Sequence, residues 1–477
     1  MASSTSLGCM AFPSRDLGPH GLLSGPRHAV RMGVEEKVLA RIRPSAEEEA
    51  RIERAVKDLL ERLTGLLRSK GWEAKPFLAG SVAKGTHLTG TEIDLFVAFP
   101  PDLPRPELET RGLALGKILE RGEHRYAEHP YTRGWHAGFE VEIVPCYRIT
   151  DATQRMSAVD RTPLHVDYVL GRIKEGQADE IRLLKAWAEG VGVYGAEAKV
   201  MGFSGYLCEL LVLKYGTFRG VLENSLAWRK GELIELDRPP GRAFPEPLIV
   251  VDPVDPNRNV ASAVSVEQLA TFVHSAREYL RAPSERFFFP RPAKAMTIPK
   301  LRALAKIRGS GLLAIAIPAP AVTEDVLYPQ LRKAHRAFLD LFHRNEFQVF
   351  DSHFDVVGKN AVFLFEFAVD TLPRVLRHEG PPVWVKNAKD FLDKWRRSPK
   401  TLAGPFIQGE RWAVDVSRDA VTAGGLAKTA WRALSLGKDL EKAAKRSLQI
   451  HSGPEAVRAS NADAWSRLFD KRFPWER

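Results

Sequence analysis

Glu92 and Asp94 stand two residues apart in Thr91-Glu92-Ile93-Asp94-Leu95-Phe96-Val97-Ala98-Phe99, a run with strand character closed by Pro100-Pro101. On a strand, alternate side chains share a face, so the two carboxylates point one way and Ile93 and Leu95 the other. Their Cα atoms lie about 6.6 Å apart at ~3.3 Å rise per residue. A third acid, Glu142, sits in Phe139-Glu140-Val141-Glu142-Ile143-Val144, a second strand candidate expected to stop at Pro145. Three carboxylates gathered by one sheet can bridge divalent cations, and two metals roughly 3.5–4 Å apart clamp the attacking and leaving oxygens of an in-line phosphoryl transfer. Oxygen-only ligands suit Mg²⁺. An acidic pair alone is more often the solvated face of an amphipathic strand, and Glu140 competes with Glu142 because it shares that strand face. Gly80-Ser81 adds weight. It follows the short run Lys75 to Ala79 and precedes a turn, where exposed backbone N–H groups can hold triphosphate oxygens.

The elements that must position these residues are legible in outline. Ser45 to Glu48 has the spacing of a capping box, and Ile52, Val56, Leu59, Leu60, Leu63 and Leu67 follow as one apolar helical stripe that ends at Gly71. The first segment is therefore mixed α/β. From about 160 to 285 the pattern turns helical, with Ile181, Leu184 and Trp187 on one stripe and a second apolar helix around Tyr206 to Leu213. Beyond about 310, an apolar run (Leu312 to Ile317) precedes the stripe Leu331, Ala334, Phe338, Leu341 and Phe342, then strand candidates Phe347 to Phe350 and Ala361 to Val369. That β-α-β-β order is part of a ferredoxin-like unit. In the tail, Lys386, Lys389, Lys394, Arg396, Arg397 and Lys400 are interleaved with Trp384 and Trp395, which reads either as a solvated helix face or as an RNA-backbone contact.

Composition bounds the possibilities. At 477 residues the chain exceeds one hydrophobic core and implies several domains. The longest apolar run, Gly311 to Val322, is broken by Pro318 and Pro320 and is too short for a membrane span. Cys9, Cys146 and Cys208 are scattered, with no zinc-ligand spacing and no disulfide framework, which suggests a reducing compartment. The net charge of +11 favours a polyanionic partner. Residues 1–31 are rich in Ser, Gly, Pro and Arg and lack apolar periodicity, so they read as a disordered extension or a start before Met32, with an organellar transit peptide as the rival.

Many separated motifs, in order, resemble the archaeal class I CCA-adding enzymes. They include Gly80-Ser81-Val82-Ala83-Lys84, Glu92-Ile93-Asp94, Glu140 to Tyr147, Ala158-Val159-Asp160-Arg161-Thr162-Pro163, Arg182-Leu183-Leu184-Lys185, Tyr194-Gly195-Ala196-Glu197, Gly202 to Leu211 and Asp252 to Ala261. The resemblance runs from about residue 35 to near the C-terminus. It implies template-independent building and repair of the tRNA 3′-terminal C-C-A from CTP and ATP with Mg²⁺, in the cytoplasm and without a membrane, and it admits a homodimer. The implied fold is multidomain α+β. A disordered extension (1–33) precedes a polymerase-β-type nucleotidyltransferase head (34–160) and a helical neck (161–285). A ferredoxin-like body (286–372) and a basic α-rich tail (373–477) that binds tRNA follow.

By the same resemblance Glu92, Asp94 and Glu142 take the metal positions. Ser81, Lys84, His165, Lys185 and Tyr194 take nucleotide-contacting positions, and Arg258 lies near the incoming base. His165 is expected either as a phosphate-binding cation or as a packed histidine, and Lys185 as a lysine held near the triphosphate or one that snorkels. Asp252-Pro253 and Asp255-Pro256 read as turn formers. Two departures stand out: Lys84 replaces the family's commoner Arg, a point charge for a fork, and Glu142 replaces Asp, one methylene longer. The alternatives are a poly(A) polymerase or oligoadenylate synthetase-like enzyme, and a non-catalytic RNA-binding protein.

Overall fold

The structure, a computed structural model, describes residues 33–126 and 130–477. The expectations about residues 1–32, Cys9 among them, lie outside the described residues.

The described part of the chain begins in the neck. Helix Val34–Ile42 buries Val38 and Ile42 against the helices of residues 162–281, so this first piece belongs to the neck core and not to the head. Helix Ala46–Ser69 then crosses to the head. Ser45 caps it by accepting from the Glu48 amide at 3.1 Å, but Glu48 does not close the box. Its carboxylate accepts instead from the Gly90 amide and the Thr89 hydroxyl, both at 2.7 Å, and so anchors the loop that leads into the catalytic strand candidate. The predicted stripe is buried at Ile52, Val56, Leu59, Leu63 and Leu67.

The head sheet consists of β1 (Lys75–Leu78), β2 (Ile93–Phe99), β3 (Glu120–Tyr126), β4 (Pro130–His136) and β5 (Phe139–Tyr147), in the order β1-β2-β5-β4-β3. Only β2 and β5 run parallel. Ile93, Leu95, Val97, Val141 and Ile143 face helices Ala46–Ser69 and Arg105–Leu115. On the other face, Phe96, Ala98, Val144 and Cys146 pack with Val166 of the neck. β5 does not stop at Pro145. Its ladder with β4 ends at Ile143, and the one-sided pairing with β2 that continues tolerates a residue lacking an N–H.

The neck is helical as expected, with helices Thr162–Leu170, Gln177–Val191, Gly205–Tyr215, Phe218–Ser225 and Val266–Arg281. A short parallel pair, β6 (Glu232–Ile234) and β7 (Leu248–Val250), precedes the Asp252–Arg258 turn. Trp187, Phe203, Phe218, Phe272 and Tyr279 fill its centre.

The body holds β8 (Gly311–Pro318), helix Glu324–Arg344, β9 (Gln348–Val357) and β10 (Asn360–Val369). The α-rich tail also carries strands. A three-stranded sheet of β11 (Val375–Pro382), β12 (Thr401–Gln408) and β13 (Arg411–Ser417) comes first, with helix Ala388–Arg396 between β11 and β12. Helices Ala423–Ala430 and Lys438–Arg446 follow, and β14 (Gln449–Ser452) then returns to pair with β8. The body sheet therefore has the order β14-β8-β10-β9, all antiparallel. The ferredoxin-like unit is complete only through residue 452, with β11–β13 inserted in it. β8 and β10 are buried on both faces, by helices Glu324–Arg344 and Lys438–Arg446 on one side and by Leu301, Trp465 and Leu468 on the other.

Candidate active site

The parallel ladder sets Asp94 directly beside Glu142. Glu92 precedes β2 on the same side and is more exposed. Asp94 cannot be approached from every direction, because Gly80 packs on it. A methyl group on Gly80 would lie 1.8 Å from Asp94 Oδ2, and Gly80 has φ +63°. Both facts require glycine there. Ser81 lies in the one-turn helix Gly80–Ala83, and the expected turn follows it at Lys84-Gly85.

Crowded acids resist ionisation. Burial and then Glu92 push the Asp94 carboxyl up to about 6, with Lys84 pulling the other way. Burial, Asp94 and Glu92 push Glu142 up to about 7 against the pull of Arg133. Arg133, on β4 opposite Glu142, meets Glu140 in a close ion pair and lies 3.5 Å from Glu92 and 3.7 Å from Glu142. Among the described residues no three His, Cys, Asp or Glu side chains are already closed around one point. The donor set nonetheless fits a hard divalent cation: all ligands are oxygen, they share one sheet face, and their mutual repulsion is relieved by positive charge. Glu140, paired with Arg133, is the less available acid.

The opposite wall comes from the neck. Lys84 donates to Glu209 Oε2, while Lys185 Nζ donates to Glu209 Oε1 at 3.0 Å, to the Thr86 hydroxyl at 3.1 Å and to the Thr86 carbonyl at 3.2 Å. Lys185 is thus a buried, fully engaged cation that does not snorkel to solvent. Arg182 grips the same head loop by donating to the carbonyls of Gly85 (2.7 Å) and His87 (2.8 Å). The Tyr194 hydroxyl lies beside Lys185: a methyl group on Gly205 would stand 3.0 Å from that hydroxyl and 3.8 Å from Lys185 Nζ.

Farther along, His165 stacks on Tyr206 with ring centroids 4.2 Å apart, and its Nε2 lies 2.9 Å from Asp252 Oδ2. Arg258 donates to the same oxygen at 2.7 Å. Burial tends to raise the Asp252 pKa, but His165 and Arg258 hold it at about 2. Burial lowers the His165 pKa despite Asp252. That direction favours the packed imidazole, anchored by Asp252, over the phosphate-binding cation. The turn does more than reverse the chain. Asp252 aims Arg258, and Asp255 accepts from Arg155 at 3.0 Å and Arg161 at 2.8 Å.

The structure therefore gathers Ser81, Lys84, Glu92, Asp94, Glu142, Lys185 and Tyr194 where head and neck meet and links His165 to Arg258 nearby. Sequence reasoning missed Arg133, Thr86 and Glu209. A single acid inside the apolar helix Tyr206 to Leu213 is the signal that pointed to Glu209, since a buried charge requires partners.

Three family profiles match in chain order: a nucleotidyltransferase domain over residues 56–165, a tRNA nucleotidyltransferase second domain over 179–289 and a CCA-adding enzyme C-terminal domain over 308–453. The last spans the whole ferredoxin-like unit, insert and β14 included. The CCA-adding enzyme of Methanoregula boonei is 38% identical over 453 residues, covering 93% of this chain and 97% of the relative. That of Methanosarcina barkeri is 40% identical, covering 78% and 83%, and that of Thermoplasma acidophilum 36%, covering 87% and 94%. With likeness on this scale along nearly the full length of both chains, and with the acids and the lysines gathered where head and neck meet, the chain belongs to the CCA-adding enzyme family.

Proposed function

We propose that this protein adds and repairs the 3′-terminal C-C-A of tRNA, using CTP and ATP without a nucleic-acid template. The observation that carries the reading is the pairing of Asp94 with Glu142 on adjacent parallel strands, with Glu92 on the same side, in a chain similar over 93% of its length to a CCA-adding enzyme. Glu92, Asp94 and Glu142 would hold the divalent cation, Mg²⁺ by the oxygen donor set, which when bound neutralises charge on the attacking and leaving oxygens. Gly80 keeps Asp94 in place, and Ser81 stands at the same turn. Lys84 faces the triphosphate from the head loop, Lys185 and Tyr194 form the wall behind it, and Arg258, braced by Asp252, reaches toward the incoming base with His165 packed beneath. The in-line geometry depends on these groups being fixed before substrate arrives.

The tRNA partner suits the charge of the chain. Body and tail would hold the acceptor arm by shape and phosphate contacts, since an RNA duplex offers little base readout. Lys389, Lys394 and Arg396 lie exposed on the amphipathic helix Ala388–Arg396, with Lys386, Arg397 and Lys400 exposed around it. Among the described residues no helix is long and apolar enough to cross a membrane. Cys146 and Cys208 are buried free thiols, in keeping with a cytoplasmic enzyme. A homodimer is part of the same reading and is tested by sedimentation.

Incubation of the full chain with tRNA lacking its terminus, plus CTP, ATP and Mg²⁺, followed by 3′-end sequencing, tests the function. Two C residues and then one A are expected. Addition of A alone would favour a poly(A) polymerase or oligoadenylate synthetase-like activity, and no addition a binding protein.

A further inference from the structure

The wall opposite the carboxylates contains a buried cluster in which two lysines share one carboxylate. Glu209 is only 1% exposed, and Lys185 and Lys84 are 3% and 8% exposed. The two lysines are not equivalent. A lysine ammonium has three donors, and Lys185 spends them on Glu209, the Thr86 hydroxyl and the Thr86 carbonyl. The Thr86 hydroxyl in turn donates to Glu209 Oε1 at 2.6 Å. Lys185 and Glu209 belong to the neck and Thr86 to the head, so this arm is a brace across the joint. Lys84 makes one hydrogen bond among the described residues, to the other oxygen of Glu209. Its ammonium lies 5.6 Å from the Tyr206 ring centre and near enough to Asp94 to favour that carboxylate's ionised form.

We propose that Glu209 is the positioning residue of the triphosphate subsite: one oxygen fixes Lys185 as the head–neck brace, and the other holds Lys84, with donors to spare, facing the carboxylates as the phosphate-binding cation. The proposal rests on the nucleotidyl-transfer reading and assigns different tasks to its two lysines. Two ammoniums and one carboxylate leave one net positive charge, matched to an incoming polyanion. Without the carboxylate, two buried cations repel and Lys84 loses its anchor, so the subsite is no longer formed in advance.

The test uses the full chain, tRNA lacking its terminus and saturating Mg²⁺. Glu209→Gln is expected to raise KM for CTP about tenfold with kcat within about threefold, the signature of lost ground-state binding. Glu209→Asp, which keeps the charge on a shorter arm, recovers part of that loss. Because one arm of Glu209 acts through Lys84, the double variant Lys84→Gln/Glu209→Gln is expected to raise KM by less than the product of the two single effects. A Glu209→Gln protein with unchanged or lower KM, or fully additive effects in the double variant, overturns the proposal and leaves Glu209 a packing residue. If Glu209→Gln does not fold, Glu209→Asp decides, and a wild-type KM there overturns it equally. Calorimetric CTP binding, which needs no turnover, separates the two readings. Wild type that binds no CTP overturns nucleotidyl transfer itself, whereas Glu209→Gln that binds it like wild type overturns only the role of Glu209.

Discussion

Arg133 shows how closely the acidic residues are balanced. It pairs tightly with Glu140 and only loosely with Glu92 and Glu142, so of the two acids on β5 it engages one and leaves the other beside Asp94. Glu142→Gln is therefore expected to cost at least ~10²-fold in kcat, about 2.7 kcal/mol of barrier. Glu140→Gln should cost under about tenfold, as the loss of a neighbour and not of a ligand. The reverse ranking in single-turnover kinetics would transfer the third metal position to Glu140. The raised carboxyls also carry a pH signature. A carboxyl whose folded pKa lies above its unfolded value contributes stability at low pH, and that contribution is lost as pH rises through the folded value. For Asp94 and Glu142 the loss sets in above their ordinary values of 3.8 and 4.5 and is complete once pH passes about 6 and about 7. In chelator, Tm should fall between about pH 5.5 and about pH 8, and less so in Glu142→Gln. A divalent cation should recover more Tm at the higher pH, where it displaces fewer protons. Identical pH profiles for wild type and variant would remove these carboxyls as the cause.

At the scale of the elements, two glycines set how closely the backbone approaches its neighbours. Gly112 lets helix Arg105–Leu115 lie on the Pro145 ring, where a methyl group would come within 2.4 Å. Gly80 serves β2 in the same way and adds a left-handed φ. Gly85, with φ +65° and nothing within 4 Å of an added methyl, provides the comparison. Gly85→Ala meets only the backbone strain, roughly 1–2 kcal/mol. Gly80→Ala meets that strain and also displaces the Asp94 carboxylate, so its kcat should fall about a hundredfold farther than that of Gly85→Ala. Denaturant unfolding and kinetics on both variants measure the two terms separately, and equal kcat values would mean that Asp94 tolerates the displacement.

Across the whole molecule, both ends of the described chain return to the neck. Helix Val34–Ile42 packs there, and Phe473 and Trp475 stack on each other and against Phe287 and His274. The segment that follows the body is thereby tied into the neck core. The basic helix Ala388–Arg396 packs against β11 and β12 and leaves Lys394, Arg396 and Arg397 exposed. Replacing these three by Ala should flatten the dependence of tRNA affinity on salt, at roughly 0.9 per lost duplex phosphate contact. An unchanged slope in filter binding at several salt concentrations would return that helix to a solvated face.

Much of this was legible in the residue order because it depends on local periodicity. The stripe of helix Ala46–Ser69 follows from a period of 3.6 and the body strands from continuous apolar runs, and burial bears both out. The acids could be listed for the same reason, since Glu92 and Asp94 share a face by alternation alone. What lay beyond reach required partners distant in sequence. The register that sets Glu142 beside Asp94 is formed across 48 positions of chain, and the contact of Lys84 with Glu209 across 125. The strands of the α-rich tail were not legible because β14 is four residues long and β11–β13 carry few continuous apolar positions. Their strand character comes from pairing and not from pattern. His165 was open between cation and packed ring because its charge depends on burial and on Asp252, 87 residues away. Periodicity determines which face a residue occupies, but only the packed fold determines what stands opposite it, because desolvation and pairing are properties of the assembled surfaces.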